Sequence, residues 1–340
     1  MRYLASILLY LLFSSEVASW TAGPISSRRN RRHSAHSRLA SLTSSTPPSS
    51  ADGSATDNGK SSRIQEELES GKVLEGGKVI DFSSVKASSR AEEALAKARQ
   101  SVLASGQQTA GSPLVHQGNI LGINEDVIKE VGHDLATFAT VQEVQDCAEF
   151  LRSLDATGVL EKRSDQSQRT DFTEEEKSRF RKLLAKAYEE SGEVTGAFAK
   201  TFYLGTMLMP EAAREAIWAI YVWCRRTDEI VDAPRDNDDE MLQDLSSWEM
   251  RLENLWKYGD VVDVYDLCLL DVRVKYPSLD ITPFMDMIRG MLMDVPGLGQ
   301  DRYDYFDELH LYCYRVAGTV GLMSLPIFGC ATGFDYDTAR

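Results

Sequence analysis

The segment from Ala216 to Asp232 constrains the fold more than any other, because its character changes at its midpoint. Its first half, Ala-Ile-Trp-Ala-Ile-Tyr-Val-Trp-Cys, is apolar on every side, which is typical of a helix buried all round. Its second half carries Arg225, Asp228 and Asp232, and at about 100° per residue these side chains share one stripe with Tyr221. The sequence therefore predicts a buried helix that presents one tyrosine, one guanidinium and two carboxylates in the same direction.

The two carboxylates of this stripe need compensation. Asp228 and Asp232 are one helical turn apart with no cation between them, and like charges at that spacing destabilise a helix by roughly 0.2–0.5 kcal/mol. Magnesium would offset the repulsion, because it prefers a few carboxylates, several waters and phosphate oxygens of a substrate to an all-protein cage. The spacing also fits a solvated helix end in which Arg225 pairs with Asp228 or Asp232. The residues by themselves leave both interpretations open.

The rest of the second half of the chain also has helical patterns. Thr173 and Glu176 form a Thr-x-x-Glu capping box that opens a helix, and Pro283 stands where a first-turn proline opens another. Apolar residues recur at helical spacing from Met241 to Leu255 and from Val262 to Tyr276. Alternating apolar and polar runs are nearly absent, so the predicted fold class is all-α.

Composition divides the chain into four segments. Residues 1–60 are predicted to be a targeting sequence, and residues 61–111 a disordered linker whose one helical stretch, Ala91 to Leu103, offers little to bury. Residues 112–170 are predicted to form an N-terminal extension of short helices. Residues 171–340 are predicted to be the N-terminal part of the main helical domain.

The targeting sequence has two parts. The apolar run Tyr3–Phe13 followed by Val17-Ala18-Ser19 is typical of a signal peptide, and the Arg- and Ser-rich sequence after it is typical of a transit peptide. This order resembles a bipartite plastid presequence, although Trp20 stands where phenylalanine usually follows the cleavage site. A plain secretory signal before a disordered basic linker is the alternative.

Charge and cysteine content exclude some classes of protein. A net charge of −15 disfavours generic nucleic-acid binding, because the chain repels phosphate backbones. The five cysteines are odd in number and contain no Cys-x-x-Cys pair, which argues against a zinc site or a disulfide framework. A reducing compartment fits this pattern best.

Three long segments, Ala199–Met209, Ala216–Asp232 and Phe306–Ser324, resemble phytoene synthases of the squalene/phytoene synthase family. Asp286–Asp294 resembles the segment that precedes the last of them. The resemblance implies an isoprenoid-synthase-type helical bundle, and a transferase that joins two geranylgeranyl diphosphates head to head through a cyclopropyl diphosphate to give phytoene. That reaction is the first committed step of carotenoid biosynthesis.

Carried over position by position, the resemblance assigns roles to residues of this chain. Asp228 and Asp232 match the motif that binds magnesium (or manganese), and together with Tyr221 and Tyr312 they are the expected catalytic residues. The expected substrate-binding residues contact the diphosphate or line the apolar walls around the prenyl tails. They are Lys200, Thr201, Phe202, Tyr221, Arg225, Val316 and Val320.

The sequence departs from the family pattern in two places. Residues 295–300 are uncharged where the family usually has a short basic stretch, and Arg315 stands where an aromatic residue is common. A second Asp-x-x-x-Asp motif is expected on a later helix, and none follows Phe328 before Arg340. We therefore expect the bundle to be incomplete at its C-terminus and this chain alone to be catalytically incomplete.

The resemblance also implies partners and a location. The expected partners are geranylgeranyl diphosphate, the surface of a plastid membrane and other carotenoid enzymes, with no nucleic acid. The expected location is the plastid (chloroplast) stroma with peripheral membrane association. A squalene- or dehydrosqualene-type synthase, or a non-catalytic binder of prenyl diphosphates, are the alternatives.

Overall fold

The structure is a computed structural model that describes residues 72–75, 78–81, 86–105, 138–163, 169–232, 238–295, 298, 303 and 305–330, with side chains from Glu92 onward. It divides into two units. The smaller contains a two-stranded antiparallel hairpin, β1 (Lys72–Glu75) and β2 (Lys78–Asp81), in which Lys72 pairs with Asp81. The sequence did not predict this hairpin. The targeting sequence of residues 1–60 lies outside the described residues.

The larger unit holds all the described helices, which confirms the predicted all-α class for this unit. A short π-helical turn, Tyr314–Gly318, joins the last two helices. The helices in chain order are α1 (Lys86–Ala104), α2 (Val141–Ser153), α3 (Glu174–Phe198), α4 (Lys200–Thr206), α5 (Glu211–Asp232), α6 (Asp238–Tyr258), α7 (Val264–Lys275), α8 (Thr282–Leu292), α9 (Phe306–Cys313) and α10 (Thr319–Phe328).

Local sequence signals set several helix starts. Thr173 caps α3 through the backbone N–H of Glu176, and the Glu176 carboxylate accepts from the Thr173 N–H, so the predicted capping box is confirmed. Thr140 and Glu143 form the same box at α2, which the sequence analysis had not identified. Pro283 lies in the first turn of α8, as predicted, where a missing N–H costs no hydrogen bond.

Helix α5 lies at the centre of the unit, packed against α3, α6, α7, α8 and α10. Its Trp223 ring stacks on Trp248 at 5.9 Å and meets Phe284 edge to face at 4.9 Å. Two buried indole N–H groups near this core have partners: Trp248 donates to Thr227 at 2.8 Å, and Trp218 donates to a threonine of α4 at the same distance. Satisfied indoles allow a helix this apolar to be buried on all sides.

Helix α1 differs from the linker predicted for residues 61–111. Leu95 and Val102 are buried, so the stretch does contribute to the core. Arg99 donates to Glu249 at 3.0 Å and to Glu253 at 2.9 Å, both on α6. The Ala-rich composition predicted the helix but not its packing, because packing depends on a surface more than a hundred residues away in sequence.

The last two helices and the π-helical turn form one continuous helix, 306–328. By length and composition it is the one described helix that would suffice to cross a membrane, with a mean hydropathy of 1.2 and about a third of the apolar window buried inside the protein. A core helix passes the same test. The helix 306–328 carries Arg315, a charged residue that is buried in the protein. A buried arginine fits a position inside the protein better than one in lipid.

Candidate active site

Arg225 lies at the centre of the polar stripe on α5. Its Nη1 donates to Asp228 Oδ2 at 3.0 Å, it also pairs with Glu229, and its guanidinium lies 4.3 Å from the centre of the Phe198 ring. The predicted Arg225–Asp228 ion pair is therefore present. Asp228 is only 9% exposed, so this end of the helix is not solvated there, whereas Asp232 is exposed.

The electrostatics of the stripe favour a cation beside it. Burial raises the pKa of Asp228, and repulsion from Asp232 adds to the shift, while Arg225 opposes it. Burial likewise lowers the pKa of Arg225, although Asp228 favours its charged form. The Arg225 guanidinium thus compensates the acidic stripe only in part, and a positive ion placed between Asp228 and Asp232 would stabilise both carboxylates.

Helix α4 brings the predicted substrate-binding residues next to this stripe. The Phe202 ring stacks on Tyr221 with centroids 5.4 Å apart, which joins α4 to α5. Burial raises the pKa of Tyr221, so its hydroxyl stays protonated. Lys200 and Thr201 are exposed in the first turn of α4.

Tyr312, the predicted catalytic tyrosine, lies on α9 in a small polar cluster. Its hydroxyl donates to Asp294 Oδ2 at 2.9 Å, and its ring stacks on Tyr303 at 5.2 Å. Asp294 in turn repels Asp228 and Asp232, contributing to the raised pKa of Asp228. Because these carboxylates are near enough to influence one another's ionisation, the predicted Tyr312 and the predicted aspartates belong to one region of the structure.

The two valines predicted to line the apolar walls are both buried. Val316 lies in the π-helical turn and Val320 in the first turn of α10, where it belongs to the main core. Cys224 of α5 contacts Met323 of α10 through their sulfur atoms at 3.9 Å. The helix that carries these valines therefore packs directly on the helix that carries the aspartates.

The donor set fits a magnesium ion that shares its coordination with a ligand. Within the described ranges, no group of three or more Asp, Glu, His or Cys side chains is close enough to hold a metal alone. Magnesium is usually bound by one or two carboxylates together with waters and phosphate oxygens. Asp228 and Asp232, one turn apart beside a partly compensating cation, suit that mode and do not suit a closed protein cage.

Comparison with known proteins identifies the stretch that builds this site. Residues 195–339 match the family model described as squalene/phytoene synthase. This stretch is similar to squalene/phytoene synthases. The chain is 57% identical over 146 residues to 15-cis-phytoene synthase of Synechococcus elongatus, which amounts to 43% of this chain and 46% of that protein. It is 56% identical over 149 residues to a chloroplastic phytoene synthase 2 of Solanum lycopersicum, or 44% of this chain and 46% of the relative.

A third relative, chloroplastic phytoene synthase 1 of Arabidopsis thaliana, is 55% identical over 147 residues, which cover 43% of this chain and 33% of the relative. The chain thus spans less than half the length of these curated relatives. The squalene/phytoene synthase match includes every predicted site residue, from Lys200 to Val320.

A buried charge network lies next to Arg225 in the candidate site, and the sequence did not predict it. Arg226, next to Arg225, pairs with Asp263 at 2.6 Å, and Arg251 of α6 pairs with Asp263 at 2.6 Å and with Asp266 at 2.7 Å. Burial opposes ionisation of Asp263, but the two guanidinium groups hold its pKa below the ordinary value. The network fixes α5, α6 and α7 to one another next to the stripe.

Asp294 and Tyr303 were also missed. The resemblance covered the segment that ends at Asp294 but implied no role for this carboxylate, whose partner Tyr312 is 18 positions away in sequence. The available signal was Asp294 itself, a lone acid that follows the apolar triplet Met291-Leu-Met.

Asp228→Asn is expected to raise the free energy of unfolding of the metal-free chain at pH 7. The folded pKa of Asp228 lies above its ordinary value of 3.8. As the pH rises from 3.8 through the folded pKa, the ionised carboxylate therefore destabilises the folded state progressively, and asparagine avoids this cost. Urea unfolding in the presence of a chelator at pH 7 and at pH 3.5 measures the effect, which should vanish at the lower pH.

The matched control for this measurement is Asp171→Asn, since Asp171 is exposed and should change stability little at either pH. Loss of stability in Asp228→Asn at pH 7 would show that Asp228 serves mainly as the structural partner of Arg225.

Proposed function

We propose that a protein containing this chain condenses two geranylgeranyl diphosphates head to head, through a cyclopropyl diphosphate intermediate, to give phytoene. One observation carries the proposal: the relatives named phytoene synthase are 55–57% identical to this chain over 146–149 residues, and the family model matches residues 195–339, which hold the Asp228–Asp232 stripe. Phytoene formation makes the protein a transferase of carotenoid biosynthesis.

The polar residues of the stripe would bind the diphosphate and help it to leave. Asp228 and Asp232 would hold magnesium or manganese, which supplies charge neutralisation on the departing diphosphate when bound. Arg225 is positioned in advance, held by Asp228 and by the Phe198 ring, so it needs no rearrangement to face an anion. Lys200 and Thr201 are exposed and therefore accessible to the same anion.

The apolar residues would protect the allylic cation that remains. Phe202, Tyr221, Val316 and Val320 are buried, and an enclosure built from such side chains excludes water that would capture a carbocation. Tyr312 donates a hydrogen bond to Asp294, which would fix the orientation of its ring beside the reacting carbons. The Tyr312 pKa is raised by partial burial and by Asp294, so the phenol stays neutral during the reaction.

A substrate comparison tests the proposed function. The protein that carries this chain is incubated with magnesium and either geranylgeranyl diphosphate, or farnesyl diphosphate with a reduced nicotinamide cofactor, and the hydrocarbons are separated by chromatography. We expect phytoene from geranylgeranyl diphosphate without any reductant, no product in the presence of a chelator, and recovery with manganese. Squalene from farnesyl diphosphate as the main product would assign a squalene-type activity instead.

We further propose that the protein acts in the plastid stroma, associated peripherally with a membrane. Relatives whose names describe them as chloroplastic support a plastid location, and the hydrocarbon substrate tails and product favour a membrane surface. Other carotenoid enzymes at that surface are candidate partners. A fusion of residues 1–60 to a fluorescent reporter in an alga with secondary plastids should direct the reporter to the plastid; secretion or a uniform cytosolic signal would contradict the proposal.

A further inference from the structure

Helix α1 lies outside the squalene/phytoene synthase match of residues 195–339, yet it is anchored to that region. It packs on α6 and α8, burying Leu95 and Val102. Arg99 pairs with two acids of α6, one of which, Glu249, is itself buried. Apolar burial and charge pairing at separate points along α1 indicate a specific contact.

A second ion pair joins α1 to the helix 306–328, which carries Tyr312, Val316 and Val320. Arg315 Nη2 pairs with Glu92 Oε1 at 2.6 Å, and Arg315 Nη1 lies 3.8 Å from Met293 Sδ. Arg315 is 8% exposed. The Glu92 side chain is 41% exposed, so the pair lies at the edge of the core, where Glu92 supplies a carboxylate to a buried guanidinium.

Arg315 lies in the π-helical turn Tyr314–Gly318, and the surrounding packing is tight. A Cβ atom added to Gly290 of α8 would lie 2.7 Å from Arg315 Cβ and 3.0 Å from its carbonyl carbon. The turn therefore rests directly on the α8 backbone, with little room to shift. Val316 follows Arg315 directly in sequence, and Tyr312 lies about one helical turn before Arg315.

We propose that Glu92 and Arg315 are positioning residues: through this ion pair, α1 holds the π-helical turn against α8 and so fixes Tyr312 and Val316 in the site. The proposal rests on the proposed function for its catalytic consequence, and not for its structural one. π-Helical turns are frequent at functional sites, and here the turn is stabilised by a helix that the family match does not include.

Hydrogen exchange of the full chain tests the structural part. In Glu92→Gln, amides of residues 311–320 should exchange about tenfold faster than in the wild type, while amides of α7 should be unchanged. A global loss of stability would accelerate both regions, so the comparison isolates local positioning. Glu93→Gln is the matched control, because Glu93 is the exposed neighbour of Glu92 on the same helix.

Swapping the charges of Glu92 and Arg315 provides a second test. Arg315→Glu alone should disturb residues 311–320, and combination with Glu92→Arg should restore most of the protection. Unchanged exchange in both Glu92→Gln and Arg315→Glu, or equal acceleration of α7, would overturn the proposal.

The catalytic part is measured in the protein that carries this chain. Glu92→Gln should lower kcat for phytoene about tenfold with little change in KM for geranylgeranyl diphosphate or in the magnesium requirement, and the exchanged pair should recover it. Faster exchange at 311–320 with wild-type kcat would overturn the positioning role. If the wild-type protein forms no phytoene, the proposed function fails, and hydrogen exchange still decides the structural part.

Discussion

Asp228→Asn is expected to lower the rate of phytoene formation by about 10²–10³-fold at a fixed magnesium concentration, in a protein that carries this chain at the length of its relatives. The change removes one negative charge and almost no volume, so the fold should remain. Since burial and Asp232 already disfavour the ionised form of Asp228, the metal-free variant should be at least as stable as the wild type. A more stable but inactive protein is the combination that a ligand of a functional cation produces.

The measurement is product formation as a function of magnesium, with the circular dichroism of each variant as a check on helix content. Asp232→Asn should act in the same direction, and Arg225→Ala should raise both the magnesium and the substrate concentration required. Asp171→Asn is the matched control, because Asp171 is an exposed aspartate away from the stripe. Wild-type phytoene formation by Asp228→Asn would show that the aspartates belong to a structural ion pair only.

Arg251→Met is expected to destabilise the protein by about 3–5 kcal/mol, the cost of removing one partner from a buried ion network. Arg251 lies 2.6 Å from Asp263 and 2.7 Å from Asp266. Methionine retains most of the volume but leaves Asp266, which is almost completely buried, with only Arg226 at 3.7 Å as a cationic neighbour. The loss should appear in urea unfolding followed by circular dichroism.

Lys257→Met provides the comparison for this variant. Lys257 is on the same helix, is about half exposed and pairs with Glu161 at 3.4 Å, so its loss should change the free energy of unfolding by less than about 1 kcal/mol. Similar effects for the two variants would mean that the buried network contributes no more than a surface ion pair. In that case the rigid support beneath the stripe would have to come from apolar packing alone.

Local patterns in the sequence predicted the helices and the stripe. The run from Ala216 to Asp232 required one buried helix, and the structure places it within α5. The Thr173 capping box and Pro283 fixed the starts of two more helices through contacts within a few residues. Such signals allow prediction from sequence because both partners of each interaction lie within one or two helical turns.

Contacts between segments that are distant in sequence could not be predicted in the same way. The bond between Tyr312 and Asp294, the network around Arg251 and the Glu92–Arg315 pair each join elements that meet only in three dimensions. Glu92 shows the difference clearly: on its own helix it is one acid among several polar residues, and only the position of Arg315 reveals what it does.

The structure bears on one of the two interpretations that the sequence left open, the solvated helix end, and the magnesium interpretation stays a prediction. Arg225 does pair with Asp228, as the ion-pair interpretation required, but Asp228 is buried and its pKa is raised, which a solvated helix end would not produce. The ion pair can hold the side chains in place before a cation arrives. The contact would then prepare the stripe for a ligand by orienting its side chains in advance.

Anomalous diffraction from crystals of the protein that carries this chain, soaked with manganese and a non-hydrolysable thiodiphosphate analogue of the substrate, tests the central claim most directly. The account predicts anomalous peaks about 2–2.5 Å from carboxylate oxygens of Asp228 and Asp232, shared with oxygens of the analogue. An analogue bound at the stripe without any anomalous peak beside these two residues, and with Asp228 still paired to Arg225, would contradict it.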